Sequence, residues 1–573
     1  MHRALLIDDL LTSILQHVTS PTDLINFART CSAVSDPPLN MLWREQPSLA
    51  PLIMCLPEDT WGIRKDHHIY FTREPLPMEW ERVRINAFRI RQFIRNNRGS
   101  LLMRLPKLDS HVVQQLFALF APTELFPNLY ALQFDAVFNR LQCSSDFWLL
   151  RQFFSPMLEK LIFNVPSAAP AHEVEQLVGA LAAEASGLRQ LSISVHHGGA
   201  VCHFTLPRIL ERIPKLNRLD IGAVGMCPAM HSIANIQHWR ALKYLSLMLQ
   251  EESGTMGNSA SIDMPLKLSV LERLILYAGR LRLCTSFLLQ IATPRLACLK
   301  VEYCTRAFPE EVTAFMLSLE TCCQTFANLE RICVGHGFCC GPALHPLPSD
   351  VFRPLLKFTR LTYVEILAMG NYCLDDAFIG DAAVAWPGIR MLRFIAEHQT
   401  DTPTVTFSAI LLFATRCTSL RTLQLNFDAT QVPTPPYVPG GYTDLWLNQT
   451  ALRELHVGHS QVATTALVPF LLAVVFPNLR DIKWHQTPGV DYDAWLHELQ
   501  WGELAEVWRK VVSLQKTNPA MLASFRAVLL RYMLGQVALA DEDGDGEEKG
   551  ILRYMLNGMD DDDEGMGDSM STS

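Results

Sequence analysis

A pattern of the form Leu-x-x-Leu-x-Leu recurs along most of this chain and constrains its fold more than any other feature. The first copy begins at Leu129 and the thirteenth at Leu479, so the mean period is about 29 residues. A unit of that length cannot bury its own apolar face, so neighbouring units must stack. The apolar positions of the motifs are Leu129/Leu132/Phe134, Leu158/Leu161/Phe163, Leu188/Leu191/Ile193, Leu216/Leu219/Ile221, Leu242/Leu245/Leu247, Leu271/Leu274/Leu276, Leu296/Leu299/Val301, Leu329/Ile332/Val334, Leu361/Val364/Ile366, Ile389/Leu392/Phe394, Leu420/Leu423/Leu425, Leu452/Leu455/Val457 and Leu479/Ile482/Trp484.

Each unit is expected to hold a short strand followed by a helix on the outside, as in residues 173–185 and 310–322. The period and pattern resemble degenerate leucine-rich repeats. That resemblance implies an α/β horseshoe whose parallel sheet lies on the concave face. A purely helical array is the alternative. Phe-Pro-Asn-Leu or a similar turn before several motifs favours a turn followed by a strand.

The first 45 residues carry a second signal. Apolar residues from 5 to 18 follow helical spacing, and the pattern stops at Thr19, Ser20 and Pro21. A second short helix should follow with Asp23 as its N-cap, and a third element should run to Trp43. Three helices of this size bury little core, so the apolar stripe suggests a partner helix.

These residues resemble the F-box, whose pattern is roughly Leu-Pro-x-Glu-hydrophobic-Leu, Ile, Asp-Leu, Cys and Leu-Trp-Arg. Two departures stand out: Ile7 occupies the proline position, and Ser32-Ala33 replace a basic and a hydrophobic residue. The matching residues are Leu6-Ile7-Asp8-Asp9-Leu10-Leu11, Ile14, Asp23-Leu24, Cys31 and Leu42-Trp43-Arg44.

The first 45 residues, which we call the head, and the repeats together resemble the F-box leucine-rich-repeat proteins that are abundant in fungi. The resemblance implies a non-catalytic substrate receptor of a Skp-cullin-F-box ubiquitin ligase, which binds a Skp-type adaptor, through it a cullin, and an unknown protein substrate. It implies no cofactor. A leucine-rich scaffold whose head only caps the repeats is the alternative. The implied adaptor contacts are Leu6, Ile7, Leu10, Leu11, Ile14, Leu15, Leu24, Phe27 and Trp43.

The predicted organisation has five parts: an F-box-like helical domain (1–57), a basic amphipathic linker and N-terminal cap (58–120), the solenoid (121–500), a C-terminal helical cap (501–538) and a disordered acidic tail (539–573). The linker places Val83, Ile85, Phe88, Ile90 and Phe93 among its arginines. Such a stretch could bind nucleic acid, but the apolar residues favour docking onto the first repeat with the arginines in solvent. We therefore expect no nucleic-acid partner. The arginines are Arg82, Arg84, Arg89, Arg91, Arg95 and Arg98.

The formal net charge of −9 belongs to the tail. Between Asp541 and Asp568 there are twelve acidic and two basic residues, with Asp560 to Glu564 uninterrupted. A segment so poor in apolar residues cannot bury enough surface to fold and is expected to be disordered.

In the predicted sheet, the residue between the last two apolar positions of each motif faces solvent. The later half of this column is the more charged and is the predicted substrate-binding surface. Solvent-exposed strand positions are commonly polar, so the alternative is that this column is an ordinary solvated face with no ligand. The predicted substrate-binding residues are Glu365, Arg393, Gln424, His456, Lys483 and the nearby His485.

Catalytic and metal motifs are not evident. The cysteines and histidines between Cys322 and His345 lack zinc-site spacing, and a calcium-like run from Asp541 ends on Leu552 instead of glutamate. No nucleophile elbow, phosphate loop or dinucleotide fingerprint occurs. No apolar run is long enough for a membrane span or a secretory signal, so we expect neither a membrane partner nor secretion and place the protein in the cytoplasm and/or nucleus.

Overall fold

The computed structural model describes residues 7–18, 20–94, 106–137, 147–166, 169–195, 213–221, 241–249, 266–323, 327–336, 345–395, 405–430, 449–462, 468–484 and 492–517. The chain divides into two compact units. The first comprises Met1–Ala278 and Gln290–Thr293, and the second Gly279–Leu289 and Pro294–Ser573. Among the described residues, no helix is both long and apolar enough to cross a membrane.

The first unit is built from short helices and short strands. Its helices are α1 (Asp8–Leu15), α2 (Pro21–Ala28), α3 (Asp36–Arg44), α4 (Ala50–Ile53), α5 (Glu81–Arg89), α6 (Ser110–Leu119), α7 (Pro122–Leu125), α8 (Phe134–Val137), α9 (Phe147–Arg151) and α10 (Ala171–Glu184). Its strands are β1 (Glu45–Gln46), β2 (Trp61–Ile63), β3 (His68–Phe71), β4 (Gln92–Phe93), β5 (Lys107–Leu108), β6 (Ala131–Gln133), β7 (Lys160–Val165), β8 (Gln190–Val195), β9 (Arg218–Ile221), β10 (Tyr244–Leu249), β11 (Leu266–Lys267), β12 (Arg273–Ala278) and β13 (Ile291–Ala292).

Eight of these strands form one parallel ladder, in the order β1-β4-β6-β7-β8-β9-β10-β12. The motif residues are in register: Leu132 pairs with Leu161, and Leu161 with Leu191. These leucines are buried because alternate residues of each strand face the helices. The ladder begins at β1 and β4, inside the segments that the sequence assigns to the head and the linker.

The head consists of α1, α2 and α3 around a small core of Leu11, Leu15, Leu24 and Val34. The predicted cap of α2 was placed three residues too late. Ser20 is the N-cap and its hydroxyl accepts from the Asp23 backbone N–H, while Pro21 occupies the first turn. Pro21 fits the first helical position because its φ is fixed and it has no N–H, which makes the preceding serine the N-cap.

Helix α5 carries the basic linker sequence. Val83 and Ala87 on one side are buried. On the other side Ile85 is 50% exposed and Phe88 is 59% exposed. Arg89 does not project into solvent as predicted: its guanidinium donates to Asp36 Oδ1 at 2.6 Å and to Asn40 Oδ1 at 2.6 Å. This ties α5 to α3. Arg95 and Arg98 lie outside the described residues.

The second unit repeats a strand and a helix along its length. Its helices are α11 (Leu281–Leu289), α12 (Pro309–Cys323), α13 (Asp376–Ala385), α14 (Phe407–Arg416), α15 (Val468–Val475) and α16 (Tyr492–Thr517). Its strands are β14 (Cys298–Tyr303), β15 (Arg331–His336), β16 (Pro346–Pro348), β17 (Tyr363–Leu367), β18 (Asn371–Cys373), β19 (Met391–Ile395), β20 (Thr422–Gln424), β21 (Asp428–Ala429), β22 (Glu454–Gly458), β23 (Gln461–Val462) and β24 (Asp481–Trp484).

Seven strands form the parallel ladder of this unit, in the order β14-β15-β17-β19-β20-β22-β24. The apolar motif residues again align, since Leu392 pairs with Val364 on one side and Leu423 on the other. In the described parts of both units, each of the thirteen motifs contributes a strand, so the all-helical alternative is wrong. The fold is α/β with repeated parallel strands, as expected for a repeat solenoid.

The two predicted helical stretches are present as α10 and α12. The C-terminal helix is less well placed by the sequence: α16 begins at Tyr492, nine residues before the predicted boundary at 501. Trp501 on this helix is buried, and its indole N–H donates to the Ser460 carbonyl at 2.8 Å. Residues 518–573, including the predicted tail, lie outside the described residues.

Leu392→Ala should lower the free energy of unfolding by about 2–5 kcal/mol, because Leu392 is fully buried between two strands and its removal leaves a cavity. Val384→Ala is the matched control. Val384 is 65% exposed in the same unit, and its truncation should cost less than about 0.5 kcal/mol. Urea denaturation followed by circular dichroism measures both. Equal losses would contradict the described core.

Candidate functional site

The head presents one row of exposed apolar side chains. Ile7, Leu10 and Ile14 follow spacings of three and four residues along α1, and Ile25 lies on α2. Their exposed fractions are 51%, 48%, 50% and 46%. Large aliphatic side chains left in water on so small a domain form a surface that gains stability when a partner covers it.

The other implied adaptor residues have different environments. Leu11, Leu15 and Leu24 form the core of the head, and Phe27 packs against that core. Trp43 on α3 is half-buried. Leu6 lies outside the described residues. The structure therefore divides the implied contacts into a surface row and an internal core, so that Leu11→Asp would test the folding of the head before it tested adaptor binding.

The second candidate site is a polar row on the second unit. Register places Glu365 beside Arg393, Arg393 beside Gln424, Gln424 beside His456, and His456 beside Lys483, each on a neighbouring strand. Five of the six predicted substrate-binding residues therefore form one row across β17 to β24. His485 lies outside the described residues.

A hydrogen-bonded network organises the first half of this row. One Arg393 Nη donates to Glu365 Oε1 at 2.5 Å, and its Nε donates to Gln424 Oε1 at 2.9 Å. The Cys333 thiol and the Tyr363 hydroxyl both donate to Glu365 Oε2 at 3.4 Å. Glu365 is only 9% exposed, so these donors replace much of the water that a carboxylate would otherwise bind. The network fixes the side chains in one arrangement.

The second half of the row opens into a shallow cleft of about 100 Å³. The chain bulges in β22, where the ladder register skips a residue and Gly458 adopts a φ of 57°. A side chain at Gly458 would collide with the Asn426 carboxamide, so glycine is required by both conformation and space. The cleft is lined by Phe394, Ile395, Gln424, Asn426, His456, Gly458, His459, Lys483 and Trp484.

Electrostatics in the cleft favours a neutral imidazole. Burial lowers the pKa of His456, and the nearby Lys483 and Arg393 lower it further, although Glu454 and Asp481 act in the opposite direction. Lys483 Nζ lies 3.3 Å from Asp481, so its charge is balanced locally. A neutral ring can both donate and accept, which suits recognition of polar groups or a backbone amide.

Three cysteines of this unit, Cys284, Cys333 and Cys417, do not have the environment of nucleophiles. Burial raises the pKa of Cys417 and of Cys284 to about 12. Burial and the Glu365 carboxylate together raise the pKa of Cys333 to about 12. Such thiols are protonated near neutral pH and weakly reactive. Among the described residues, no group of three or more histidine, cysteine or acidic side chains could hold a metal ion.

Sequence reasoning missed Tyr363, Asn426 and Trp484, which complete the network and the cleft. Tyr363 lies two residues before Glu365 on the same strand face, so strand alternation could have found it. The cleft itself depends on the bulge at Gly458, for which the isolated glycine in a strand pattern was the available signal.

Comparison with known proteins identifies no family. No family model matches the chain. No curated protein matches it. Among solved structures, the chain has a distant likeness to the yeast Rad7 and Elc1 complex, with 16% sequence identity and a TM-score of 0.32 over 70% of this chain and 91% of the other.

Arg393→Met should destabilise the second unit by about 1–3 kcal/mol, because it leaves the Glu365 carboxylate and the Gln424 amide without their main donor. In the double variant with Glu365→Gln, the loss should be smaller than the sum of the two single losses by about 1 kcal/mol or more. Chemical denaturation of the four proteins gives this coupling. Arg353→Met is the control: Arg353 pairs with Asp350 and Asp381 at the surface, and its loss should cost less than about 1 kcal/mol. Strict additivity would contradict the network.

His456 should make stability depend on pH. The pKa of His456 is lower in the folded than in the unfolded protein, so the unfolded state binds a proton more readily. The free energy of unfolding therefore decreases as the pH falls from about 6.5, the ordinary pKa of histidine, through the lower pKa of the folded protein. His456→Gln should flatten the dependence of the melting temperature on pH between about 7 and 5. His345→Gln, at an exposed histidine, should leave it unchanged. A profile that His456→Gln does not alter would contradict the assignment.

Proposed function

We propose that the chain is the substrate-recognition adaptor of a Skp-cullin-F-box ubiquitin ligase, in which the head binds a Skp-type adaptor and the repeats bind a protein substrate. The chain itself supplies no catalytic group. It brings the substrate close to the conjugating machinery that the cullin carries. The observation that carries the proposal is the exposed row of Ile7, Leu10, Ile14 and Ile25 on the head.

The two faces of α1 support separate roles for its apolar residues. Leu11 and Leu15, four residues apart, belong to the core of the head, whereas Leu10 and Ile14, also four residues apart, remain in solvent. A helix that only capped the repeats would need one apolar face. A second apolar face matches a partner helix laid across it, since burying each such side chain contributes about 1.5–3 kcal/mol.

The polar row on the second unit supplies the proposed substrate surface. Its preorganised Glu365–Arg393–Gln424 network and the adjoining cleft present donors and acceptors at fixed positions, which favours specific recognition at low entropic cost. The sheet face supporting it is rigid because each strand is hydrogen-bonded to its neighbours.

A leucine-rich scaffold outside any ubiquitin ligase is the second candidate, and one observation favours it. Helix α3 runs directly into β1, the first strand of the parallel ladder, and Arg89 of α5 holds α3 through Asp36 and Asn40. The head is thus attached to the repeats as an end cap would be. A cap does not, however, require the exposed row on α1.

Ile14→Asp in the full chain should weaken co-purification with a Skp-type adaptor at least tenfold, because a charge replaces an apolar contact while the core of the head stays intact. Ser13→Asp is the matched control: it adds the same charge at the neighbouring exposed position and should leave binding near the level of the unmodified chain. Size-exclusion chromatography with the purified adaptor measures both.

The outcomes separate the two candidates. Loss of the complex with Ile14→Asp alone supports the adaptor role. If the unmodified chain forms no complex with an adaptor that binds a control F-box protein, the ligase role is wrong and the scaffold role remains.

A further inference from the structure

Four arginines lie at corresponding positions of neighbouring repeats in the second unit. Arg390, Arg421, Arg453 and Arg480 each directly precede a strand. Their backbones are linked in series: the N–H of Arg421 donates to the Arg390 carbonyl at 2.7 Å, that of Arg453 to Arg421 at 2.9 Å, and that of Arg480 to Arg453 at 2.8 Å. Adjacent members are therefore one strand spacing apart, about 4.8 Å. We call these four residues the arginine ladder.

The arginine ladder is open to solvent, and the acidic residues nearest to it along the chain are Glu454 and Asp481, which follow Arg453 and Arg480. All four side chains are exposed, and within the described residues none of them has a side-chain hydrogen bond or an ion pair. The two turn residues that precede the first apolar residue of each of these four motifs are uncharged: Pro387 and Gly388, Thr418 and Ser419, Thr450 and Ala451, and Pro477 and Asn478.

The equivalent positions of the first unit have a different pattern. There the row reads Arg44, Arg91, Tyr130, Glu159, Arg189, Asn217, Lys243 and Glu272, linked by the same series of backbone bonds. Its later members carry both signs of charge and pair, since Arg189 lies 3.8 Å from Glu159 and Lys243 lies 3.2 Å from Glu272. Like charges on neighbouring strands repel, so four consecutive cations favour an anionic ligand more than the row of the first unit does, where Arg44 and Arg91 are the longest run of like charge.

We propose that the arginine ladder binds the acidic C-terminal segment of the same chain, chiefly Asp560 to Glu564. Guanidinium groups form bidentate hydrogen bonds with carboxylates. The lengths correspond: three strand spacings span about 14 Å, and five consecutive residues in extended form span about the same distance.

Covalent connection places the acidic segment within reach. Helix α16 is held in the second unit by the Trp501–Ser460 hydrogen bond and ends at Thr517. The 43 residues from there to Asp560 can span at most roughly 150 Å, which is many times the length of about 14 Å of the arginine ladder. Because both groups belong to one chain, the encounter is intramolecular and does not depend on protein concentration. This proposal is independent of the ligase function.

Carbodiimide coupling in the full chain tests the contact directly. Arg453→Lys keeps the charge and introduces an amine that couples to a carboxylate in contact with it. Mass spectrometry should locate this coupling on residues 560–564, and raising sodium chloride from 50 to 500 mM should reduce it at least fivefold. Arg360→Lys is the matched control, because Arg360 is exposed in the same unit but pairs with Glu330 at 3.2 Å. It should couple to Glu330 instead of the tail.

Mixing isotopically heavy and light chains distinguishes the source of the carboxylates. Coupling within one chain supports the proposal, whereas coupling between heavy and light chains assigns the ladder to a second copy and overturns it. Equal tail coupling at positions 453 and 360 would also overturn it.

Binding in trans gives a second, independent test. A labelled peptide of residues 558–568 should bind the full chain at least tenfold more tightly when Asp560→Asn, Asp561→Asn, Asp562→Asn, Asp563→Asn and Glu564→Gln neutralise the resident segment. Adding Arg421→Gln and Arg453→Gln should remove the gain. Equal affinity with the resident segment charged or neutral would overturn the proposal. So would preference of the neutralised chain for a single-stranded oligonucleotide over the peptide.

Discussion

The register of the parallel ladders is the constraint on which the rest of the structure depends. One apolar residue of each motif is buried at the same level of its strand, as Leu392 and Leu423 illustrate. Because side chains alternate along a strand, a slip of one residue would expose this whole set, so register is strongly specified. Everything at a fixed distance from that residue is then aligned as well, which is why both the polar row and the arginine ladder exist as rows.

This constraint also explains how much the sequence could predict. The motif spacing predicts thirteen strands, and the resemblance to leucine-rich repeats implies that they are parallel, which together give the neighbours of Arg393. The strands β1 and β4 were not predicted, because they contain two residues each and lack the motif, so only tertiary pairing defines them. The start of α16 at Tyr492 was also missed: the segment has polar and apolar residues on all sides, and its contacts with the last repeats decide its length.

The head shows where periodicity reaches its limit. Leu10 and Leu11 are adjacent, as are Ile14 and Leu15, so the sequence describes one broad apolar stripe. Which half turns inward depends on where α2 and α3 lie, since only their packing on Leu11 and Leu15 defines the core. A family pattern adds residues to the interface without distinguishing contact from support. The structure shows that Leu11 belongs to the core, whereas Leu10 and Ile14 are about half exposed, so in the proposed interface the latter two are the candidates for contact.

The two rows of the second unit have the same spacing but opposite electrostatic character. In the polar row, Arg393 is balanced by Glu365 and Lys483 by Asp481, and the depressed pKa keeps His456 neutral near pH 7. A ligand of such a surface would be recognised by shape and hydrogen bonding, with little effect of salt. The arginines of the ladder have no ion-pair partner among the described residues, so a ligand bound there would be selected by charge, which ions screen over about 8–10 Å at physiological strength. A ligand held by the polar row should therefore resist salt that releases one held by the ladder, which makes ionic strength the variable that separates them.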